Sequence, residues 1–209
     1  MANLVPKVPA ERWLDAARRA LVEEGIDAVK VDRLARGLGV SRGGFYHHFA
    51  NRDELLARLR QTWQTTVVFA PARPVPANPG EALAAIEALV ERLIREDGYD
   101  PRFDLAVRAW AHADAKTAAA VRRVDALRIV VLSRIFLALG CQSEEAAVRA
   151  RVLYFHQIGY YAIGVRESQA ARRQRAATYT EILCGARHLA AARVFSRQTA
   201  RTTSAVAGA

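Results

Sequence analysis

Between Ser41 and His48 the chain reads SRGGFYHH, gathering a guanidinium, two hydroxyls and two imidazoles around a pair of glycines. The chemistry these groups offer is hydrogen-bonded recognition of a polar surface, since each donates or accepts without needing to react. Adjacent His47 and His48 raise the question of a metal. Neighbouring helical residues point about 100° apart and no further ligand lies nearby in sequence, so no metal is expected there.

Elsewhere a catalytic reading would use His112 with Asp114, or Cys141 with His156. Neither pair sits in a nucleophile elbow, a glycine-rich phosphate loop or a metal signature, so the sequence predicts no catalytic residue and no cofactor. Cys141 and Cys184 lie 43 positions apart. Neither belongs to a C-x-x-C pair or a Cys/His cluster, and both read as small buried hydrophobes rather than a disulfide or a metal site.

The elements that position SRGGFYHH must be helices, because apolar residues recur at three- and four-residue spacings and strand alternation is essentially absent. The pattern predicts an all-α fold of about nine helices. The first, Ala10 to Glu24, carries Trp13, Leu14, Ala17, Leu21 and Val22 on one stripe and stops at Gly25. Short helices follow at Asp32 to Leu38 and Arg42 to His48, then a longer one from Asn51 or Arg52 to Phe69. The stretch Pro71 to Pro79 holds four prolines and reads as a connector. Further amphipathic runs span Gly80 to Asp97, Pro101 to His112, Lys116 to Leu139, Ser143 to Arg166 and Ala171 to Ala192. Beyond Arg197 the residues TARTTSAVAGA lack large apolar side chains, so 198–209 reads as a flexible tail.

Around SRGGFYHH the small Ala35 permits close helix approach, Gly39 can take a positive φ in the turn, and Val40, Phe45 and Phe49 point inward. Ser41, Arg42, Gly43, Gly44, Tyr46 and His47 then face outward. This is the logic of a helix-turn-helix, whose outer face suits a major groove. On the hairpin pattern alone, an ordinary αα-hairpin within a bundle stays open.

Charge agrees with an anionic partner, the net formal charge being +10, although charge names no partner by itself. Residues 1–52 hold nine Lys and Arg against six Asp and Glu, so the basicity is shared with the rest of the chain. No apolar run is long enough for a bilayer span and the opening residues lack a secretory leader, which predicts a cytoplasmic protein.

Residues 31–55, VDRLARGLGVSRGGFYHHFANRDEL, resemble the DNA-binding signature of the TetR family of repressors. The resemblance combines Ala-x-x-x-Gly-Val-Ser, a small residue pair, an aromatic-Tyr-x-His-Phe run, a basic residue and Leu. It implies that Arg42 reads a base edge or contacts a phosphate, and that Gly43 and Gly44 lie against the DNA. It also implies that Tyr46 contacts phosphate, that His47 faces the groove and that Arg52 is a basic clamp opening the fourth helix. His48 and Phe49 read as packing residues. The family often begins its second helix with Thr or Ser, a place read here as Val31, so a cap is missing; Asp32 or Lys30 is expected to compensate, Lys30 by reaching a phosphate directly.

The same resemblance implies a helix-turn-helix domain at 1–52 and a helical effector-binding and dimerisation domain at 53–197. Dimerisation would use the runs 143–166 and 171–192 as a four-helix bundle with a second copy. Trp110, His112, Phe136, Tyr154, Gln157 and Tyr161 are the candidate effector contacts, with core packing or a dimer contact as the alternative for each. Implied partners are double-stranded DNA, a second copy and a small-molecule effector, with repression or activation left open. An enzyme with an accessory helix-turn-helix and a nonspecific architectural DNA binder are the competing classes.

Overall fold

The computed structural model describes residues 8–70 and 73–207. The first seven residues, on which the expectation about a leader rests, and the first two residues of the expected connector lie outside them. The described residues form ten α-helices: α1 (Ala10–Glu24), α2 (Val31–Leu38), α3 (Arg42–Tyr46), α4 (Arg52–Thr66), α5 (Pro79–Arg95), α6 (Pro101–Ala111), α7 (Ala115–Ala138), α8 (Ser143–Ala162), α9 (Gln169–Cys184) and α10 (Ala186–Ala207). A single 3-10 turn, Ile26–Ala28, links α1 to α2. The fold is all-α, and among the described residues no helix is long and apolar enough to cross a membrane.

Contacts divide the chain into two compact units, 1–67 with 100–124 and 68–99 with 125–209. In the first, α1 buries Trp13, Ala17 and Leu21, α4 buries Leu55, Leu56, Leu59 and Trp63, and α6 buries Phe103, Val107 and Trp110. The four-residue spacing puts each set on one helix face, and each large side chain so buried contributes about 1.5–3 kcal/mol. The core also holds a carboxylate, that of Asp104. It accepts hydrogen bonds from Trp63 Nε1 and Arg108 Nε, both at 2.9 Å, as a charge removed from water requires.

Helix α4 is capped where the sequence suggests, with the Glu54 N–H donating to Asn51 Oδ1 at 3.0 Å. It ends at Thr66, short of the expected Phe69. The hydroxyls of Thr62 and Thr66 donate back to the carbonyls of Arg58 and Thr62, at 3.0 and 2.7 Å, and Val67 leaves helical backbone at ψ 77°. The β-branched run Thr65-Thr66-Val67-Val68 is crowded in a helix and offers the backbone competing bonds.

In the second unit α5 packs against α9 and α10, and Phe69, Tyr99 and Tyr154 meet edge to face at centroid separations of 5.0 and 5.5 Å. The larger departures from the sequence expectation lie at α8, α9 and α10. Helix α8 stops at Ala162 rather than Arg166, closed by Gly164 at φ 74°, whose N–H donates to Tyr161 O. The single helix expected from Ala171 to Ala192 is two helices. Gly185 sits at φ 78°, ψ 139°, a conformation open mainly to glycine, and ends α9 by donating to Glu181 O at 2.8 Å. Finally, the backbone expected to be irregular from residue 198 stays helical to Ala207, with 208–209 outside the described residues. No proline or glycine interrupts it before Gly208, and extending a formed helix needs only one further bond per residue.

Candidate nucleic-acid interface

Helix α2 shows Leu34 and Ala35 to the core and ends on Gly39 at φ 69°, ψ 28°. In that left-handed conformation the Val40 N–H reaches back to Ala35 O at 3.0 Å, which turns the chain tightly into α3. Helix α3 is a little more than one turn long, too short to hold its place by backbone bonds alone. Its anchor is Phe45, fully buried, with its ring 5.4 Å edge-on from Trp13 of α1 and 5.1 Å from the stacked ring of Phe49. His48 fixes the exit, with Nε2 2.7 Å from Val8 O. His48 and Phe49 are thus held inward.

With Phe45 fixed inward, the helical period leaves Ser41, Arg42, Gly43, Tyr46 and His47 exposed along one side. Arg42 Nε lies 2.8 Å from Asp32 Oδ1 of α2. A hydrogen bond to Tyr46, and then the Asp32 charge, hold the guanidinium above the ordinary arginine range, so it stays cationic. The two glycines differ. A β-carbon on Gly43 would meet only Ser41 Oγ, at 3.6 Å, whereas one on Gly44 would lie 3.8 Å from the Trp13 ring, so Gly44 is turned partly toward α1.

At the start of α2 the structure moves the capping position by one residue. Val31 is the first helical residue, and the N-cap is Lys30, extended at φ −118°, ψ 135°, with no capping bond from its side chain. Val31, the place expected for the cap, is itself helical, and the cap, whose backbone is non-helical, lies one residue before it. Lys30 is exposed and lines a shallow groove on α2 with Asp32, Arg33 and Arg36. Arg52 also has a structural duty. Its Nε donates to Val29 O at 2.6 Å and its Nη2 to Ile26 O at 3.1 Å, tying the start of α4 to the 3-10 turn. Asp32 was missed as a partner of Arg42 because their meeting depends on how α2 and α3 cross, which no local spacing records.

The candidate effector contacts are not gathered into one place. Trp110 and His112 belong to the first unit, Trp110 buried beneath the Arg60 guanidinium at 5.1 Å and His112 exposed at the end of α6. Phe136 is fully buried core of the second unit, and the Tyr154 hydroxyl donates to Asp125 Oδ1 at 2.6 Å. Gln157 differs from these. It helps to line a cavity with Leu93, Leu153, His156, Tyr160 and Arg172, and its Nε2 is buried with no hydrogen-bond partner. Close by, the Tyr161 hydroxyl donates to Leu93 O at 3.1 Å and faces Arg172 Nη2 at 3.3 Å. Burial pushes both Tyr160 and Tyr161 above the ordinary phenol range.

Residues 14–59 match the family described as bacterial regulatory proteins, tetR family. The HTH-type transcriptional repressor Rv1474c of Mycobacterium tuberculosis is 36% identical over 121 residues, 55% of this chain and 62% of the relative, so the chain covers less than two thirds of that protein. The HTH-type transcriptional repressor AcnR of Corynebacterium diphtheriae is 32% identical over 59 residues, 28% of this chain and 31% of the relative. The crystal structure of a transcriptional regulator from Rhodococcus sp. Rha1 matches with a TM-score of 0.58 at 23% identity, over 83% of this chain and 97% of that one. That last likeness concerns the fold alone. Residues 14–59, which include α3 on its Phe45 anchor, are thus similar to the DNA-binding segment of the tetR family of bacterial regulatory proteins.

Proposed function

We propose that this protein is a sequence-specific DNA-binding transcriptional regulator, a repressor rather than an enzyme, acting in the cytoplasm on nucleoid DNA. The observation that carries the reading is the exposed row Ser41, Arg42, Gly43, Tyr46 and His47 on a helix whose opposite side is locked by Phe45 and Phe49. Such a row fits a major groove, with Arg42 matched to the acceptors of guanine and Lys30, Tyr46 and Arg52 set against phosphates. The repressor names of the two sequence relatives support the sign of the effect. In this reading residues 1–52 read DNA and residues 53–197 dimerise and bind an effector.

A second copy is supported by what α8 and α9 leave uncovered. Only Cys184 is buried along α9, while Tyr179 and Ile182 are exposed, and α8 exposes Val148, Val152 and Phe155 at helical spacing. An apolar stripe of this size on a helix lacking a partner favours burial against its symmetry mate. Two recognition helices then sit about one DNA turn apart on a near-palindromic site. The cavity around Gln157 suits a small, largely apolar effector bearing a hydrogen-bond acceptor for the unpartnered amide. Release from DNA needs a coupling of only about 1–3 kcal/mol between the two sites.

The test is enrichment of a random duplex library on purified protein, followed by titration of wild type and Arg42→Ala on the enriched site. A near-palindrome preferred over unrelated duplexes by about 10³-fold or more, with the variant relaxing one symmetric pair of positions, is the expected result. Absence of enrichment, with affinity that merely follows salt, would instead make the protein an architectural binder.

A further inference from the structure

Sequence spacing reads Cys141 as a small buried hydrophobe and gives no role to Glu145, four residues on, or to the distant His188. In the structure one ligand-capable atom from each lies within 4.8 Å of the other two. They come from three segments of the second unit: the link between α7 and α8, the first turn of α8, and the first turn of α10. The break at Gly185 is what creates this meeting, since it starts a new helix that carries His188 inward to 6% exposure.

From this geometry we infer a binding site for a thiophilic divalent cation of the zinc type, held by Cys141 Sγ, Glu145 Oε2 and His188 Nε2. The ring of His188 is set for ligation. Its Nδ1 lies 3.1 Å from Cys184 O, an arrangement that puts the proton on Nδ1 and leaves the Nε2 lone pair facing the cluster. That lone pair meets only a long contact from Arg187 Nη2 at 3.4 Å, and Glu145 Oε2 stands 3.9 Å away. The other carboxylate oxygen, Oε1, accepts from Arg149 Nη2 and Nε at 2.8 and 3.0 Å, the outer bond that commonly orients a ligating carboxylate.

Charge and size agree with such an ion. A thiolate, a carboxylate and a neutral imidazole sum to two negative charges, and sulfur with nitrogen selects zinc-like over calcium-like cations. Tetrahedral zinc bonds imply ligand atoms about 3.4–3.6 Å apart, so rotation of Glu145 and Cys141 by about 1 Å closes the set. Binding exchanges the Cys141 thiol proton for the metal and releases that proton to solvent. Three protein ligands leave a fourth position for water. Buried Cys184, whose carbonyl is the hydrogen-bond partner of the His188 ring, is the alternative thiolate.

The test uses full-length protein stripped with a chelator and titrated with cobalt(II), then zinc(II). Expected are one equivalent per chain, a thiolate-to-cobalt charge-transfer band with tetrahedral visible bands, and displacement of both by zinc. Cys141→Ser should abolish the charge-transfer band while leaving far-ultraviolet circular dichroism unchanged, and Cys184→Ser should keep the band. Because His188 is buried, Glu145→Gln is the safer second variant, keeping the band but weakening affinity about 10-fold or more. Folded wild type that gives no thiolate band overturns the inference, as does a band that survives Cys141→Ser or one lost with Cys184→Ser.

Discussion

Replacing Phe45 by Ala separates an anchored recognition helix from one held merely by its neighbours in sequence. The ring is fully buried between Trp13 and Phe49. Truncating a phenylalanine in such a place costs about 3–5 kcal/mol, transfer and cavity together. Against a whole-domain stability of about 5–15 kcal/mol this is a large fraction. With a urea dependence of about 2 kcal/mol per molar, the unfolding midpoint should fall by about 1.5–2.5 M. A built-in probe exists, because all three tryptophans, Trp13, Trp63 and Trp110, belong to the first unit. Their fluorescence should therefore report the loss, while circular dichroism, which sees both units, should retain a later transition from the second. Tyr46→Ala is the control, since that ring is 53% exposed and its removal should move the midpoint little. If the fluorescence midpoint of Phe45→Ala fell by less than about 0.5 M, the claim that this ring holds α3 would be refuted.

Lys30→Ala should weaken binding to every duplex alike and flatten the plot of log affinity against log salt by about one unit, which titrations at four salt concentrations would measure. Ile182→Glu, at a position 71% exposed, should leave the helical content intact and convert a sedimenting dimer into a monomer; an unchanged dimer would move the interface off α9. Glu91, hydrogen-bonded by Arg173 and Arg95, titrates at about 2 instead of the ordinary 4.5. Its ionised form is therefore favoured by folding, so that part of the stability is complete above about pH 4.5 and is lost as pH falls toward 2. The difference in urea midpoint between wild type and Glu91→Gln should shrink to nothing over that range, and added salt should reduce it at neutral pH because the group is exposed. A difference independent of pH would show that the arginines do not act on Glu91 through charge.

What residue order determines here is local: the helical period, the turn at Gly39, the start of α4 at Asn51, and the inward set Ala35, Val40, Phe45 and Phe49. Each depends on residues within about one turn of one another, so the outer face Ser41 to His47 was legible from sequence. The cap of α2 was legible to within one residue, because a cap is defined by backbone angle and Lys30 carries no capping side chain to mark it. Gly185 was visible as a glycine, but the apolar rhythm on both sides ran through it, and only packing chose a break over a continuous helix. The pairing of Asp32 with Arg42, the bracing of the 3-10 turn by Arg52 and the orphan amide of Gln157 were decided by how helices cross. The cluster of Cys141, Glu145 and His188 belongs to the same class, because nothing in sequence spacing encodes the distance between the start of α8 and the start of α10. Helix formation is set by near neighbours, whereas the placing of one helix against another is set by the burial of faces whose partners lie tens of residues away.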